Sequence, residues 1–222
     1  MEADIVYHSG QCALRVVLSP KEAMVVAAAA LASHTLNARI EPRSLGGRVT
    51  PADAPGPGGL RLVQVTASDE PVEMLLCPSV PGDILRLRIS AADLHVVSGS
   101  FLAASPQVRV TESGRGAHAI FAWESPALLT CANVGDVFLN AHGAFHILEL
   151  QEGQGYRVHT SHIAAFDGTV GFTLAPPAQQ RPESPLAEGK WCDFVGPGRV
   201  YMQTRSVDGL LGRLAPRLLG AP

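Results

Sequence analysis

The sequence predicts an all-β fold made of short strands. Glycine (22) and proline (17) are frequent among the 222 residues, and both favour turns over long helices. Residues 85–89 (LRLRI) alternate apolar and polar side chains, as a half-buried strand does. One spacing of apolar residues also recurs three times along the chain, which indicates a supersecondary unit used three times. We therefore predict three tandem antiparallel β units that form one compact domain.

The first unit is predicted over residues 5–50. Residues 14–18 (LRVVL) alternate like a strand, residues 19–22 (SPKE) form a turn, and residues 24–26 resume the strand. Read alone, residues 21–31 favour a helix, because alanine is the best helix former. The other two copies are strand-like, so we expect a strand here as well.

The second unit is predicted over residues 60–115 and the third over residues 116–174. In the first copy Leu18 is followed at eight, fourteen and twenty-two residues by Val26, Ala32 and Ile40. In the second copy Ile89 is followed at eight, fourteen and twenty-one by Val97, Ala103 and Val110, and in the third Leu150 is followed by Val158, Ala164 and Phe172. Connecting strands are expected at residues 60–65 and 72–76 for the second unit, and at residues 116–123 and 128–131 for the third.

Two closing strands are predicted over residues 190–207, followed by a tail over residues 208–222. Residues 198–203 (GRVYMQ) match residues 135–140 (GDVFLN) in residue class. Because little precedes Leu14, we hypothesise that the strand at residues 200–203 returns to pair with the first unit. Proline- and glycine-rich segments at residues 51–59 and 175–185 are expected to be exposed loops.

Charge and cysteine content narrow the function classes. The net charge is −3, so the chain has no global electrostatic reason to hold nucleic acid or anionic lipid. Cysteines at 12, 77, 131 and 192 never form a Cys-x-x-Cys pair, so we expect reduced, buried thiols. No secretory signal, mitochondrial presequence or membrane-spanning apolar run is visible. We therefore predict an intracellular protein, cytoplasmic or mitochondrial, without a transmembrane segment.

Four motifs carry a family resemblance. They are residues 99–105 (GSFLAAS), 137–143 (VFLNAHG), 163–167 (IAAFD) and 194–205 (FVGPGRVYMQTR). Together they resemble the altered inheritance of mitochondria protein 24 family, over most of residues 5–207. The resemblance implies a fold like that of the tryptophan RNA-binding attenuation protein, a double-stranded β-helix or sandwich-like architecture assembled as a homotrimer. It also implies inner-membrane organisation in yeast mitochondria, and structural roles for Gly143, Gly196, Pro197, Gly198, Gln203 and Arg205.

Histidine is the residue type that most suggests a binding site. His142 and His146 lie four apart, which places them on one face of a strand, whereas His159 and His162 lie three apart. His146 aligns with Leu14 and Leu85, so we expect it to point inward. A cupin-like metal site would need two histidines two apart and a nearby glutamate, and that pattern is missing. We predict no metal and no cofactor, with His142 and His146 as the first candidates if a metal binds.

The sequence contains no recognisable catalytic or nucleotide-binding motif. No Gly-x-Ser-x-Gly occurs, and the glycine-rich residues 56–59 and 196–198 open no helix, so we interpret the latter as a tight hairpin turn. Arg86, Arg88 and Arg109 fall on polar strand faces and could form a basic stripe. Aromatic residues are only 5% of the chain, and we expect Phe101, Phe145 and Phe166 to face the core. Few aromatic side chains are then left on the surface for nucleic-acid bases to stack on. We predict no catalytic residue and no nucleic-acid partner.

The sequence thus predicts a non-enzymatic scaffold or interaction protein connected with mitochondrial or membrane organisation. Each predicted unit would bury too little surface alone, so fusion and self-association are expected, together with protein partners of unknown identity. Two alternatives stay open. The first is a small-molecule or metal-binding β-helix protein, and the second is an RNA-binding ring.

Overall fold

The structure, a computed structural model, describes residues 1–7, 10–45, 60–113, 128–175 and 191–206. Within these ranges the chain forms nineteen β-strands and three one-turn 3₁₀ helices. The all-β prediction is confirmed. The loop at residues 51–59, the strand expected at residues 116–123, residues 176–185 and the tail at residues 208–222 lie outside the described residues.

The strands follow one another in short segments. In chain order they are β1 (Glu2–Val6), β2 (Ala13–Leu18), β3 (Ala23–Ala27), β4 (Leu31–His34), β5 (Ala38–Arg43), β6 (Leu62–Ala67), β7 (Val72–Leu76), β8 (Ile84–Ile89), β9 (Leu94–Val97), β10 (Phe101–Ala104), β11 (Arg109–Glu112), β12 (Leu128–Ala132), β13 (Gly135–Asn140), β14 (Phe145–Leu150), β15 (Gly155–His159), β16 (Ile163–Asp167), β17 (Gly171–Leu174), β18 (Trp191–Val195) and β19 (Gly198–Gln203). The 3₁₀ turns are Ala28–Ala30, Ser98–Ser100 and Thr160–His162.

The alanine-rich segment of the first unit is a strand, as expected. Ala23–Ala27 forms β3, and only Ala28–Ala30 turn into a 3₁₀ helix. β3 pairs with β6 on one side and with β10 on the other. Two ladders of backbone hydrogen bonds therefore outweigh the helix propensity of alanine.

Four antiparallel sheets hold the strands. Sheet 1 has the order β1-β2-β7-β4, sheet 2 the order β5-β6-β3-β10-β13-β8, sheet 3 the order β11-β12-β9-β16-β19-β14, and sheet 4 the order β15-β18-β17. Each sheet pairs strands that are distant along the chain, so consecutive strands often lie in different sheets.

One pairing pattern occurs three times, in group 1 (β2 to β7), group 2 (β8 to β13) and group 3 (β14 to β19). The sixth strand of each group pairs with the first and third, and the fifth pairs with the second and fourth. Groups 1 and 2 meet where β3 pairs with β10 (joint 1), and groups 2 and 3 meet where β9 pairs with β16 (joint 2). The strands expected at residues 60–65 and 72–76 pair with the first group instead of the second. The strand expected at residues 128–131 for the third unit is β12, which pairs with β9 and β11 of the second group.

The hypothesis that the last strand returns to the first unit is wrong. β19 pairs with β14 and β16, both in group 3. The fifth and sixth strands of each group fold back on the four strands directly before them, and β19 follows that rule. In group 1 it is β1 that covers the outer side of β2, pairing Glu2 with Val17 through Val6 with Ala13. The turn at residues 196–198 joins strands of two different sheets, so it is not a hairpin turn.

The core lies between the sheets in two parts. A large cluster comes mostly from groups 1 and 2 and includes Leu14, Met24 and Phe138. A smaller cluster fills group 3 around Phe166 and Phe194. Among the described residues, no helix is long and apolar enough to cross a lipid bilayer.

Candidate functional site

Two histidines stabilise the turn Thr160–His162 in group 3. His162 Nδ1 lies 2.8 Å from the backbone oxygen of Gln203, and His159 Nδ1 lies 2.7 Å from Ser161 Oγ. The two imidazole rings are 6.2 Å apart between centroids, and His159 meets Trp191 edge-on at 5.1 Å. These contacts hold the turn against β15, β18 and β19, so the Nδ1 atoms of His159 and His162 have a structural role.

The third histidine, His142, lies in the loop between β13 and β14. Its side chain is buried, and its Nδ1 has no hydrogen-bond partner among the described residues. Its backbone N–H donates to Gln203 Oε1 at 3.0 Å, and its backbone oxygen accepts from the Arg205 N–H at 3.0 Å. Gln203 Nε2 also donates to the Ser161 oxygen at 2.8 Å. Gln203 therefore joins this loop to the histidine turn, and the sequence motif did not reveal that link.

The two metal candidates differ in burial, since His142 is buried and His146 is exposed. His146 on β14 is exposed, so the expectation that it points inward is wrong. β14 ends its sheet with only β19 beside it, whereas β2, which carries the aligned Leu14, lies between β1 and β7. Across the described part of the chain, no group of three or more His, Cys, Asp or Glu side chains is placed to hold a metal ion.

Two motif glycines are required by the backbone. Gly143 has φ +81°, and a Cβ there would lie 2.5 Å from Thr204 Oγ1. Gly198 has φ +138°, and a Cβ there would lie 2.7 Å from Thr169 Oγ1. Just before Gly198, the Gly196–Pro197 peptide bond is cis. Gly143 lies in the loop between β13 and β14, and Gly198 begins β19. At both positions a positive φ favours glycine.

The arginines do not form the basic stripe. Arg86 and Arg88 on β8 lie 2.8 Å and 3.4 Å from the carboxylate of Asp136 on β13, whose side chain is only 7% exposed. Arg109 is on β11 in another sheet. Phe101 and Phe166 are buried and Phe145 is half-buried, as expected. The two neighbouring arginines share one carboxylate and stay half-exposed, at 51% and 63%.

A carboxylate that sequence reasoning missed fixes the start of β19. Asp167 accepts hydrogen bonds from the Tyr201 hydroxyl at 3.2 Å and from the Arg199 backbone N–H at 3.0 Å. Burial, followed by the charge of Asp167, raises the pKa of Tyr201 above its usual range. Tyr201 therefore keeps its proton at neutral pH and acts as a hydrogen-bond donor in the sheet.

The cysteines are free, as expected, and Cys12, Cys131 and Cys192 are buried while Cys77 is half-buried. Burial raises the pKa of the Cys131 and Cys192 thiols to about 12. Because the thiolate is the nucleophile, these two cysteines are unreactive at neutral pH.

One cavity lies between the 3₁₀ turns of the first two groups. It has a volume of about 360 Å³ and is lined chiefly by Ala27 to Ala30, Pro78, Ser98 and Asn140. The Asn140 side chain already donates to the Gly99 oxygen at 3.2 Å. The size suits a small ligand, and the polar residues of the lining are Arg61, Ser79, Ser98 and Asn140.

Two strands, β8 and β14, have an open edge, which is a side with no neighbouring strand among the described residues. β14 and β8 end their sheets, in the place where β1 covers β2 in group 1. Ile147 on β14 is 42% exposed. A free edge offers a row of backbone N–H and C=O groups that can take up a further strand. The sequence did not indicate these edges, since edge position depends on the order of strands in a sheet.

Comparison with known proteins bears on the fold and the family. The family model described as "Mitochondrial biogenesis AIM24" matches residues 4–205. No curated protein matches the chain. Among solved structures, the crystal structure of protein SPYM3_0169 from Streptococcus pyogenes is similar with a TM-score of 0.77, at 17% identity over 97% of this chain and 99% of that chain. At that identity the similarity shows the fold alone.

Proposed function

We propose that this chain, which belongs to the mitochondrial biogenesis AIM24 family, is a non-enzymatic scaffold that binds protein partners through open strand edges. We place it in mitochondrial or membrane organisation, in the cytoplasm or in mitochondria. The three strand groups are copies of one repeated unit in this proposal, and the chain self-associates as a homotrimer.

The observation that carries the proposal is the contrast between β2 and its counterparts β8 and β14. The outer edge of β2 holds β1 along five residue pairs, from Glu2–Val17 to Val6–Ala13. β8 and β14 occupy the same place in groups 2 and 3, and no described strand covers them. The chain therefore carries both an occupied and two open versions of one strand-binding edge, and the occupied one indicates how a partner strand binds.

The chemistry of the side chains also supports a binding role. Polar groups that could serve catalysis instead join strands: Asp167 holds Tyr201, Asp136 holds two arginines, and His162 contacts the Gln203 backbone. Each contact reinforces a sheet, and a rigid sheet presents its edge in a fixed geometry.

The test compares native complexes of two variants. The full chain, tagged and produced in its own organism, is expected to migrate on native gels at a larger mass than the purified assembly. Ile147→Lys places a charge beside the open edge of β14, which opposes pairing with another strand, so the larger complex is expected to disappear.

The matched control is Val134→Lys, because Val134 is 53% exposed in the turn between β12 and β13 and not on an edge strand. It should keep the larger complex. A chain that migrates in cells at the mass of the purified assembly would show that it binds no partner and would contradict the proposal.

A further inference from the structure

Group 1 shows how an outer strand is held on the edge of β2. Arg15 on β2 has an acidic neighbour on each side. Its Nε lies 2.8 Å from Glu73 Oε1 on β7, and on the other side it is paired with Asp4 of β1, while Glu2 is paired with Val17. The hydrogen bond and the charge of Glu73, followed by the charges of Asp4 and Glu2, raise the pKa of Arg15. The outer strand therefore brings acidic side chains to a basic edge.

β8 takes the place of β2 in group 2 and carries two arginines. Both strands have six residues, and in each the last residue lies opposite the first residue of the sixth strand of the group. Arg86 therefore takes the place of Arg15, and Arg88 takes the place of Val17. At these two positions the edge of β8 has two positive charges where the edge of β2 has one.

The arginines of β8 have an acidic neighbour on one side. Asp136 on β13 lies 2.8 Å from Arg86 and 3.4 Å from Arg88. On the other side of β8 there is no further strand among the described residues. One carboxylate faces two guanidinium groups, so this open edge keeps an unbalanced positive charge.

Apolar side chains on the other face of β8 also lack a neighbour. In group 1, Ala3 and Ile5 of β1 pack against the core and lie opposite Val16 and Leu14, which are fully buried. The residues of β8 at the same two places are only half-buried; they are Leu87 and Leu85. An apolar side chain on each side of an incoming acidic residue would cover them as β1 covers β2.

We propose, building on the edge binding of the proposed function, that the open edge of β8 binds an extended segment of a partner protein in which acidic and apolar side chains alternate. The segment lies antiparallel to β8, as β1 lies on β2. Its first acidic residue faces Arg88, its second faces Arg86, and the apolar residue between them faces Leu87. Residues 2–5 (EADI) have this pattern.

The segment comes from another protein. Glu2 and Asp4 are the only two acidic residues in the sequence that lie two positions apart, and both belong to β1, which covers β2. Transfer of β1 to the β8 edge of a second copy would uncover β2 in the first. Such an exchange leaves the number of open edges unchanged, so it gains no strand pair.

The edge of β14 selects against the same segment. At the places of Arg86 and Arg88 it has Ile147 and Glu149, and Glu149 faces Arg199 on β19. The acidic residue is here on the edge strand and the arginine on its neighbour, the reverse of group 2. Like charges directly opposite each other destabilise a strand pair, so Glu149 opposes an acidic segment. The two open edges therefore select different partner segments.

The probe is a labelled peptide of residues 1–7 (MEADIVY) with an acetylated amino terminus, titrated with the purified full chain at low salt. It is expected to bind β8, because the chain's own β1 occupies β2. The peptide with Glu2→Gln and Asp4→Asn should bind about five times more weakly, through the loss of two exposed ion pairs. The peptide with Glu2→Lys and Asp4→Lys should bind more weakly still. Fluorescence anisotropy measures the three affinities, and added salt should bring them together.

The register is tested with Arg88→Gln, which leaves Arg86 beside the buried carboxylate of Asp136. In this variant Glu2→Gln in the peptide should no longer change the affinity, because its partner is gone. Asp4→Asn should still weaken binding about two to three times, because Arg86 remains.

The matched control is Glu149→Gln, which removes one charge from the open edge of β14. It should leave the affinity for the acidic peptide unchanged. Equal affinities of the three peptides, no binding of the acidic peptide, or a weakening by Glu149→Gln as large as that by Arg88→Gln would overturn the proposal.

These outcomes are separable from those of the proposed function. If Ile147→Lys removes the cellular complex and the peptide affinities do not depend on charge, only the selection of an acidic segment by β8 is wrong. If the acidic peptide binds through Arg88 and no larger cellular complex exists, the selectivity of the β8 edge stands and the binding of a cellular partner is wrong.

Discussion

β4 and β10 occupy the same place in groups 1 and 2 but differ in both sequence and surroundings. β10 (FLAA) lies between β3 and β13 with every residue buried, whereas β4 (LASH) has β7 as its one neighbour among the described strands and is largely exposed. Both strands follow a 3₁₀ turn and pair with the sixth strand of their group. The difference shows that the third strand of a group is buried by a strand of the adjacent group and not by the strands of its own group.

The largest expected effect comes from placing one charge at the two corresponding positions. Ala103→Asp puts a carboxylate at a fully buried site of joint 1, between the apolar residues Val26 and Phe138 on the two neighbouring strands. An unpaired buried charge should cost more than about 4 kcal/mol of unfolding free energy. Denaturant unfolding followed by circular dichroism measures the loss.

Ser33→Asp is the matched variant in β4. It should change the unfolding free energy by no more than about 0.5 kcal/mol, because the site is exposed. Equal destabilisation by the two variants would show that β4 is as buried in its own chain as β10.

A smaller effect is expected at two acidic residues that share the second position of the sixth strand. Asp136 in group 2 is nearly buried and contacts two arginines, whereas Glu73 in group 1 makes a 2.8 Å contact with Arg15 on a half-exposed surface. Asp136→Asn should lower the unfolding free energy by about 1–3 kcal/mol through weakened charged hydrogen bonds. Thermal unfolding at low and high salt measures the change.

Glu73→Gln serves as the comparison in group 1. Water and salt screen its ion pair, so the unfolding midpoint should not move measurably. A loss at Glu73 as large as that at Asp136 would mean that burial does not separate the two sites.

The smallest effect concerns pH at joint 2. Burial lowers the pKa of His95, whose ring lies 5.0 Å from that of Phe166, while the charge of Asp93 opposes the shift. The unfolded chain then binds the proton more readily, so this contribution to stability is complete above pH 7 and is lost as pH falls through about 6.5. His95→Val copies Val25 of joint 1 and should flatten the dependence of unfolding free energy on pH between 5 and 8. An unchanged slope in this variant would assign the dependence to another group.

The strands were largely predictable from the sequence, but their partners were not. Alternation in residues 85–89 identified β8, and the spacing of apolar residues identified β3 in spite of its alanines. Alternation states which face of a strand is buried and carries no information on which strand lies beside it. That is why β19 was assigned to the first unit, although it completes group 3.

The spacing was also misaligned by one residue in the second copy. Counted from the following 3₁₀ turn, Val96 and Leu102 correspond to Val26 and Ala32, rather than Val97 and Ala103. β9 (Leu94–Val97) has four residues where β3 and β15 have five, so the 3₁₀ turn comes one residue earlier after Ile89 than after Leu18 or Leu150. A fixed spacing does not detect such a difference in strand length.

The candidate site was predictable only in part. The motif glycines and Gln203 were identified, and their structural roles follow from positive φ angles and from the link between Ser161 and the His142 loop. His146 aligns with Leu14 and Leu85 as predicted, at the second position of its strand, but its predicted burial was wrong. An alignment gives the position of a residue along a strand and does not show which strands lie beside it. The edge position of β4 left a trace in the sequence, because β4 has Ser33 and His34 where β10 has two alanines.

The short strand β1 gives the assembly an uneven count of binding positions. It covers the outer edge of group 1 and has no counterpart on groups 2 and 3 among the described strands. The proposed homotrimer would contain nine groups, of which three are occupied by their own chain and six are available. The stoichiometry of partner to scaffold chain would therefore be two to one.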